Sequence, residues 1–268
     1  MVDFERKKCY DMEDFRKIIA VLRSDNGCPW DREQTHKSIR RNLLEEAYEV
    51  CEAIDEENTE HLREELGDLM MQVIFHSRIE EEFGSFDLDD VADGACKKLI
   101  LRHPHVFGDV EVHSSGEVLE NWDAIKRKEK SQRTTADAME SVAKTLPALW
   151  RADKIQSKAA KAGFDWADVS DALAKLREEV GELEEAMRGG DTEQIHDEIG
   201  DVLFAAVKVS RFSKADPEYA LHHTCDKFTT RFKGVEDAAA AEGRKIEDYT
   251  LNELIELYNL AKNQEKSV

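Results

Sequence analysis

The stretch Leu43-Leu44-Glu45-Glu46-Ala47-Tyr48-Glu49-Val50, followed by Glu65-Leu66-Gly67-Asp68, decides how this chain folds, because it returns as Leu176-Arg177-Glu178-Glu179-Val180-Gly181-Glu182-Leu183 followed by Glu198-Ile199-Gly200-Asp201. The interval from Glu49 to Glu65 equals that from Glu182 to Glu198, sixteen positions in each copy. Residues three apart lie on one side of a helix, so Glu46 with Glu49 and Glu65 with Asp68 form carboxylate pairs. Glu179 with Glu182 and Glu198 with Asp201 repeat them. Apolar residues run beside the acids at helical spacing: Leu43, Ala47, Val50 and Ile54, then Leu62, Leu66, Leu69, Met70 and Val73. In the second copy the stripes are Leu173, Leu176, Val180, Leu183 and Met187, then Ile195, Ile199, Val202, Leu203 and Ala206. We expect these stripes to face the core, with Glu46 and Glu179 at its border and Glu49, Asp68, Glu182 and Asp201 turned further round. A later helix or a second chain must then cover the acidic side, which suggests a dimer.

Acids make up 59 of the 268 residues, so a single copy of the pattern could come from composition alone. A second copy at the same interval, with the same order of residue types downstream, argues for a duplicated unit. The downstream order is a basic pair, Lys98 and Arg102 or Lys227 and Arg231, spaced i, i+4 on one helix face. An aromatic and a lysine follow, Trp122 and Lys126 or Tyr258 and Lys262, each aromatic five residues after a capping glutamate, Glu117 or Glu253. Four clustered carboxylates favour a hard cation such as Mg²⁺, which commonly accompanies substrate phosphates. The basic pair suits phosphate, and the aromatic suits a base. The competing reading is a solvated acidic helix face.

The chain contains four prolines and no alternating strand-like runs, and apolar spacing is helical over most of its length, so the expected fold is all-α. Short polar breaks predict antiparallel helix pairs. Asn58 and Asp191 are expected to cap the second acidic helices, Asp87 and Asp216 with Pro217 the next ones, and Ser114 and Thr250 the last. Each copy thus holds about four helices. Asp11 to Ser24 reads as an additional amphipathic helix, Cys28 to Asp31 as a turn, and His103-Pro104-His105 as a turn carrying ordinary histidines. We place the domains at 1–130 and 146–268, joined by a polar linker over 131–145.

A net charge of −21 opposes binding to nucleic acid. Five scattered cysteines without a C-x-x-C pair indicate neither a disulfide framework nor zinc. No apolar run reaches the ~18 residues of a membrane span, and the charged N-terminus lacks a leader's apolar region. A soluble cytoplasmic protein is expected. No P-loop, dinucleotide fingerprint or G-x-S-x-G elbow is present.

The chain resembles the MazG family of nucleoside triphosphate pyrophosphohydrolases in its two-domain form. The resemblance rests on Leu44 to Glu49, Glu65-Leu66-Gly67-Asp68, Arg102-His103-Pro104-His105-Val106-Phe107, Asn121-Trp122, Leu146-Pro147-Ala148-Leu149, Gly163-Phe164-Asp165-Trp166, Glu198-Ile199-Gly200-Asp201 and Lys227-Phe228 with Arg231-Phe232. It implies two tandem helical bundles that dimerise into four-helix cores. It also implies Mg²⁺ dependence, with Mn²⁺ as a substitute, and hydrolysis of nucleoside triphosphates to monophosphate and pyrophosphate by attack of water at the α-phosphorus. Carried over by motif, Glu179, Glu182, Glu198 and Asp201 are metal ligands and Glu178 supports the site or orients water. Lys227 and Arg231 bind phosphate, Tyr258 contacts the base where the family often has Trp, and Lys175 and Gln194 to Asp197 line the nucleotide. The first copy keeps Glu46, Glu49, Glu65, Asp68, Lys98, Arg102, Trp122 and Lys126. The alternatives are an all-α pyrophosphohydrolase with a narrower substrate and a non-catalytic acidic interaction module.

Overall fold

The computed structural model describes residues 4–129 and 132–265, and the chain divides into two compact units, residues 1–126 and 127–268. Among the described residues every regular element is helical. The first unit contains α1 (Met12–Leu22), α2 (Pro29–Glu33), α3 (Arg40–Asp55), α4 (Thr59–Phe83), α5 (Leu88–Arg102), α6 (Pro104–Phe107) and most of α7 (Ser115–Glu129). The second contains α8 (Thr135–Glu140), α9 (Ala148–Lys161), α10 (Val169–Gly189), α11 (Thr192–Phe212), α12 (Pro217–Ala241), a 3-10 turn at Ile246–Asp248, and α13 (Leu251–Glu265).

The helix starts fall where the polar residues can satisfy the free N–H groups of a first turn. The His61 N–H donates to Asn58 Oδ1 at 3.2 Å, and the Glu193 and Gln194 N–H groups donate to Asp191 Oδ1 at 3.0 and 3.2 Å. Asp87 and Asp216 receive the N–H groups of Asp90 and Tyr219, and Ser114 and Thr250 those of Glu117 and Glu253. Asn58 and Asp191 end connections of only a few residues, so α3 folds back on α4 and α10 on α11.

The core of the first unit lies at the C-terminal half of α4, where Ile74, Phe75 and Ile79 pack with Ile19 of α1 and with Ile39. Each such side chain contributes about 1.5–3 kcal/mol on burial. Arg23 spans this end, donating to both carboxylate oxygens of Glu82 at 2.9 and 2.8 Å and to the carbonyls of Asp31 and Gln34. In the second unit α9 packs on both α11 and α12, and Val207, Val235 and Ala239 are buried.

Three expectations are corrected. First, much of the apolar stripes of the acidic helices is left uncovered by the rest of the chain, although Val50 is buried. Leu66 is 47% exposed and Leu203 51%, with Leu44, Tyr48, Met70, Val73, Val180, Met187 and Ile199 also exposed, while Glu65 and Glu179 are each only 8% exposed. The reason is docking: α1 covers the far half of α4 and α9 covers one flank of α11, so the crease of each hairpin encloses carboxylate rather than leucine. Second, Pro29–Glu33 and Pro104–Phe107 are short helices rather than turns, each started by a proline whose fixed φ suits a first helical position. Third, part of the expected linker is folded. Thr135–Glu140 is helical, begins with a reciprocal cap between Thr134 and Asp137, and buries Ala138. Ser131, in the same stretch, lies outside the described residues.

Candidate active site

The hairpin geometry brings three carboxylates together in each unit. Glu46 and Glu49 of α3 meet Glu65 of α4, and Glu179 and Glu182 of α10 meet Glu198 of α11, with one oxygen from each residue lying within 4.8 Å of the others in its set. Asp68 and Asp201 stand beside these sets rather than within them. Asp68 is near enough to raise the pKa values of Glu46 and Glu65, and Asp201 shares a cavity wall with Glu179.

The sets differ in their neutralising neighbours. In the first unit Gln72 donates weakly to Glu46 Oε1 at 3.4 Å, and His61 lies 3.2 Å from Glu65 and 3.3 Å from Glu56. Burial first, then the charges of Asp68 and Glu49, push the Glu46 carboxyl above its usual range. Burial first, then Glu49, does the same to Glu65. Hydrogen bonding to Glu56, followed by the charges of Glu65 and Glu56, raises His61. In the second unit Lys175 reaches Glu178 at 2.7 Å and Glu179 at 2.9 Å, and these two bonds hold its ammonium well above the ordinary lysine range. Glu182 is raised by a shared hydrogen bond with Glu179, then by desolvation. Carboxylates gathered so closely repel, and a divalent cation with oxygen ligands relieves that repulsion. Both sets have the donor chemistry such an ion requires.

The aromatic and basic residues form local clusters on the later helices. Lys126 lies over the Trp122 ring at 4.0 Å, His103 is 5.9 Å from that ring, and the indole Nε1 is buried without a hydrogen-bond partner. In the second unit Gly234 lets α13 approach α12: a Cβ there would stand 2.9 Å from Ala261 Cβ. One turn away, Arg231 sits 5.9 Å from the Tyr258 ring and Phe228 5.7 Å from it. Lys98 is exposed, Lys227 and Lys262 are half-buried, and Gln194 and Asp197 are exposed near the start of α11.

The second unit also holds a cavity of about 380 Å³ against its carboxylates. Ala172, Lys175 and Glu179 line it from α10, and Asp201, Phe204, Ala205 and Lys208 from α11. These positions recur at i, i+3 or i+4, and i+7, one face of each helix. The remaining wall is Gly163-Phe164-Asp165-Trp166. In the sequence the quartet stands out only as a motif of the family resemblance, and the seven-residue step from Asp201 to Lys208 is what puts Lys208 on the same helix face.

Two segments of this chain, residues 34–107 and 167–236, match the family model of the MazG nucleotide pyrophosphohydrolase domain. The chain belongs to the MazG family. It is 41% identical over 255 residues to the nucleoside triphosphate pyrophosphohydrolase/pyrophosphatase MazG of Thermotoga maritima, covering 95% of this chain and 97% of that one. It is 40% identical over 251 residues to the nucleoside triphosphate pyrophosphohydrolase of Escherichia coli, with coverages of 92% and 95%. It is also 47% identical over 267 residues to the uncharacterized protein YabN of Bacillus subtilis, of which it spans only 54%. Each MazG segment contains one carboxylate set and one Lys/Arg pair. Trp122, Tyr258 and the quartet ending at Trp166 lie outside both segments. Among the described residues no helix is long and apolar enough to cross a membrane.

Proposed function

We propose that this chain hydrolyses nucleoside triphosphates to the monophosphate and pyrophosphate in a Mg²⁺-dependent reaction. The observation that carries this reading is the meeting of Glu179, Glu182 and Glu198 across one hairpin, beside a cavity that also exposes Lys175 and Asp201. The Thermotoga maritima and Escherichia coli relatives, both nucleoside triphosphate pyrophosphohydrolases by name, support it. Glu179, Glu182 and Glu198, with Asp201 alongside, would hold a divalent cation, Mg²⁺ or in its place Mn²⁺, which would supply neutralisation of the charge on the leaving pyrophosphate. Lys175, Lys227 and Arg231 offer positive charge to phosphate oxygens. In this reading Glu178, bonded to Lys175, orients the attacking water molecule.

Exposed apolar residues line α3 and α4 in the first unit and α10 and α11 in the second, and we read each hairpin's exposed face as a homodimer contact. The net charge of −21 favours small nucleotides over nucleic acid, and we place the enzyme in the cytoplasm. The test is product identity with ATP and Mg²⁺. AMP with pyrophosphate is expected, and ADP with phosphate overturns the reading. A panel of triphosphates separates a broad enzyme from one with a narrower substrate.

A further inference from the structure

We propose that His36, His76 and Glu80 form a proton-operated latch in the first unit, which pins the segment ahead of α3 to α4 and, on acidification, opens and frees the start of the helix that carries Glu46 and Glu49. His36 stands in the connection between α2 and α3, four residues before Arg40, and His76 and Glu80 lie one turn apart on α4. His36 Nδ1 is 2.7 Å from His76 Nδ1, and His36 Nε2 is 2.7 Å from Glu80 Oε1. The two rings are within 6° of parallel and their centroids are 5.0 Å apart, about as far as a 2.7 Å nitrogen contact lets two imidazoles stand. The nitrogens therefore meet edge to edge, on a line with room for one hydrogen.

The partners fix the tautomers. An ionised carboxylate only accepts, so His36 Nε2 carries a hydrogen and donates to Glu80. Hydrogen bonds from Ser85 and then from His36 keep the Glu80 carboxyl below its usual range, and therefore ionised. Neutral His36 then presents a bare Nδ1, and the hydrogen between the rings belongs to His76. That leaves His76 Nε2 bare as well, and this nitrogen is buried without a hydrogen-bond partner. A further proton on His76 Nε2 makes a buried, charged donor with no acceptor. A further proton on His36 Nδ1 obliges His76 to accept, which moves the His76 hydrogen to the same buried Nε2. With both rings charged, two N–H groups point head to head. Glu80 is the charged group facing the pair across the cavity, and the walls from α3, from α5 and from the segment between α4 and α5, at Leu43, Val91 and Phe86, add none. Burial first, then the charge of His36, accordingly push His76 below the ordinary histidine value.

His36 is free to swing out. Its side chain is 41% exposed and borders a cavity of about 520 Å³. The Thr35 N–H donates to Ser38 Oγ at 2.9 Å and the Ser38 N–H to Thr35 Oγ1 at 3.2 Å, so the turn keeps its own bonds when His36 lets go. The segment is also tied down by Arg23, which donates to the Gln34 carbonyl at 3.2 Å, and by the buried Ile39. Because His76 binds a proton more weakly in the closed form, closure is fully favoured above the ordinary value of about 6.5 and is lost as pH falls through the lowered one.

The test is hydrogen exchange of the full chain between about pH 7.5 and about pH 5, a window around the ordinary histidine value, read as protection factors. In the wild type the Ile39 and Leu43 N–H groups, which donate to the Thr35 and Ile39 carbonyls, should lose protection about tenfold per pH unit below the His76 transition, the slope for one proton per opening. The Ile74 and Phe75 N–H groups, in the middle of α4, should stay protected. His76→Asn, whose amide can donate to His36 Nδ1 but takes up no proton, should keep the segment protected throughout, and His76→Phe should leave it weakly protected throughout. Wild-type protection that does not change with pH, a loss that strikes the middle of α4 equally, or an unchanged pH dependence in His76→Asn overturns the latch. Should either variant fail to fold, the wild-type profile decides by itself.

Discussion

The two units carry one acidic pattern but bury different members of it. In the first, the enclosed carboxylate is Glu65 on the second helix of the hairpin; in the second, it is Glu179 on the first helix. The neighbours differ accordingly. Asn42 occupies the place of Lys175, four residues before the corresponding glutamate, and His61 the place of Gln194. Lys175 therefore neutralises Glu178 and Glu179 directly, whereas the first unit relies on Gln72 at 3.4 Å and on His61. Beside the second set a cavity joins the carboxylates to an aromatic wall. In the first unit the cavity lined by His36, Val73 and His76 includes none of the clustered acids. A duplicated ligand set thus need not make a duplicated active site; what adjoins the ligands decides that.

The largest effect expected from this contrast is on turnover. Glu182→Gln should lower pyrophosphate release from ATP by about 10²–10³-fold, the scale for losing one group that stabilises transition-state charge. Glu49→Gln should cost no more than a few-fold. Equal losses in steady-state assays would show two working sites and break the comparison.

Mg²⁺ should next raise the melting temperature, and at about one hundred times its dissociation constant the gain is ~2.7 kcal/mol. The sign with pH follows from Glu46, Glu65 and Glu182, all raised above the ordinary carboxylate value. A raised acid binds its proton more tightly in the folded state, so its ionisation penalises folding fully above the folded pKa. That penalty is relieved as pH falls through the raised value toward the ordinary value of about 4.3. Without metal, these groups should make the protein gain stability on mild acidification from neutrality. The Mg²⁺-induced shift should shrink over the same window, because protons and cation compete for the same oxygens. A shift that is independent of pH, measured by calorimetry, would argue against metal at the clusters.

The smallest effects should be equal in the two units. Asn58→Ala and Asp191→Ala each remove a side chain that receives N–H groups at the start of the second acidic helix. Each should cost about 1 kcal/mol in thermal unfolding. A marked inequality would mean that the hairpins depend on their caps differently and would sharpen the contrast between the units.

Much of this was legible in local sequence. The four carboxylates that come from helix pairs at i, i+3 could be named because helical geometry places them, and the caps at Asn58, Asp87, Asp191 and Asp216 because their side chains act within three residues. The inverted stripes were not legible. Leu66 and Leu203 satisfy every periodic rule for a core position, yet they are exposed because α1 and α9 dock elsewhere on their hairpins. The ion pairs of Asp165 were equally hidden, since its partners Lys208 and Arg211 lie 43 and 46 residues away.

The sequence by itself determined that the chain is helical and duplicated, and which carboxylates share a helix face, because those properties arise from interactions within about one or two helical turns. Only the tertiary structure decided which side of each hairpin is enclosed, which carboxylate is buried, and where an aromatic wall stands against the acids. Those outcomes depend on which distant helices occupy the limited surface of each hairpin, and no local periodicity records that competition.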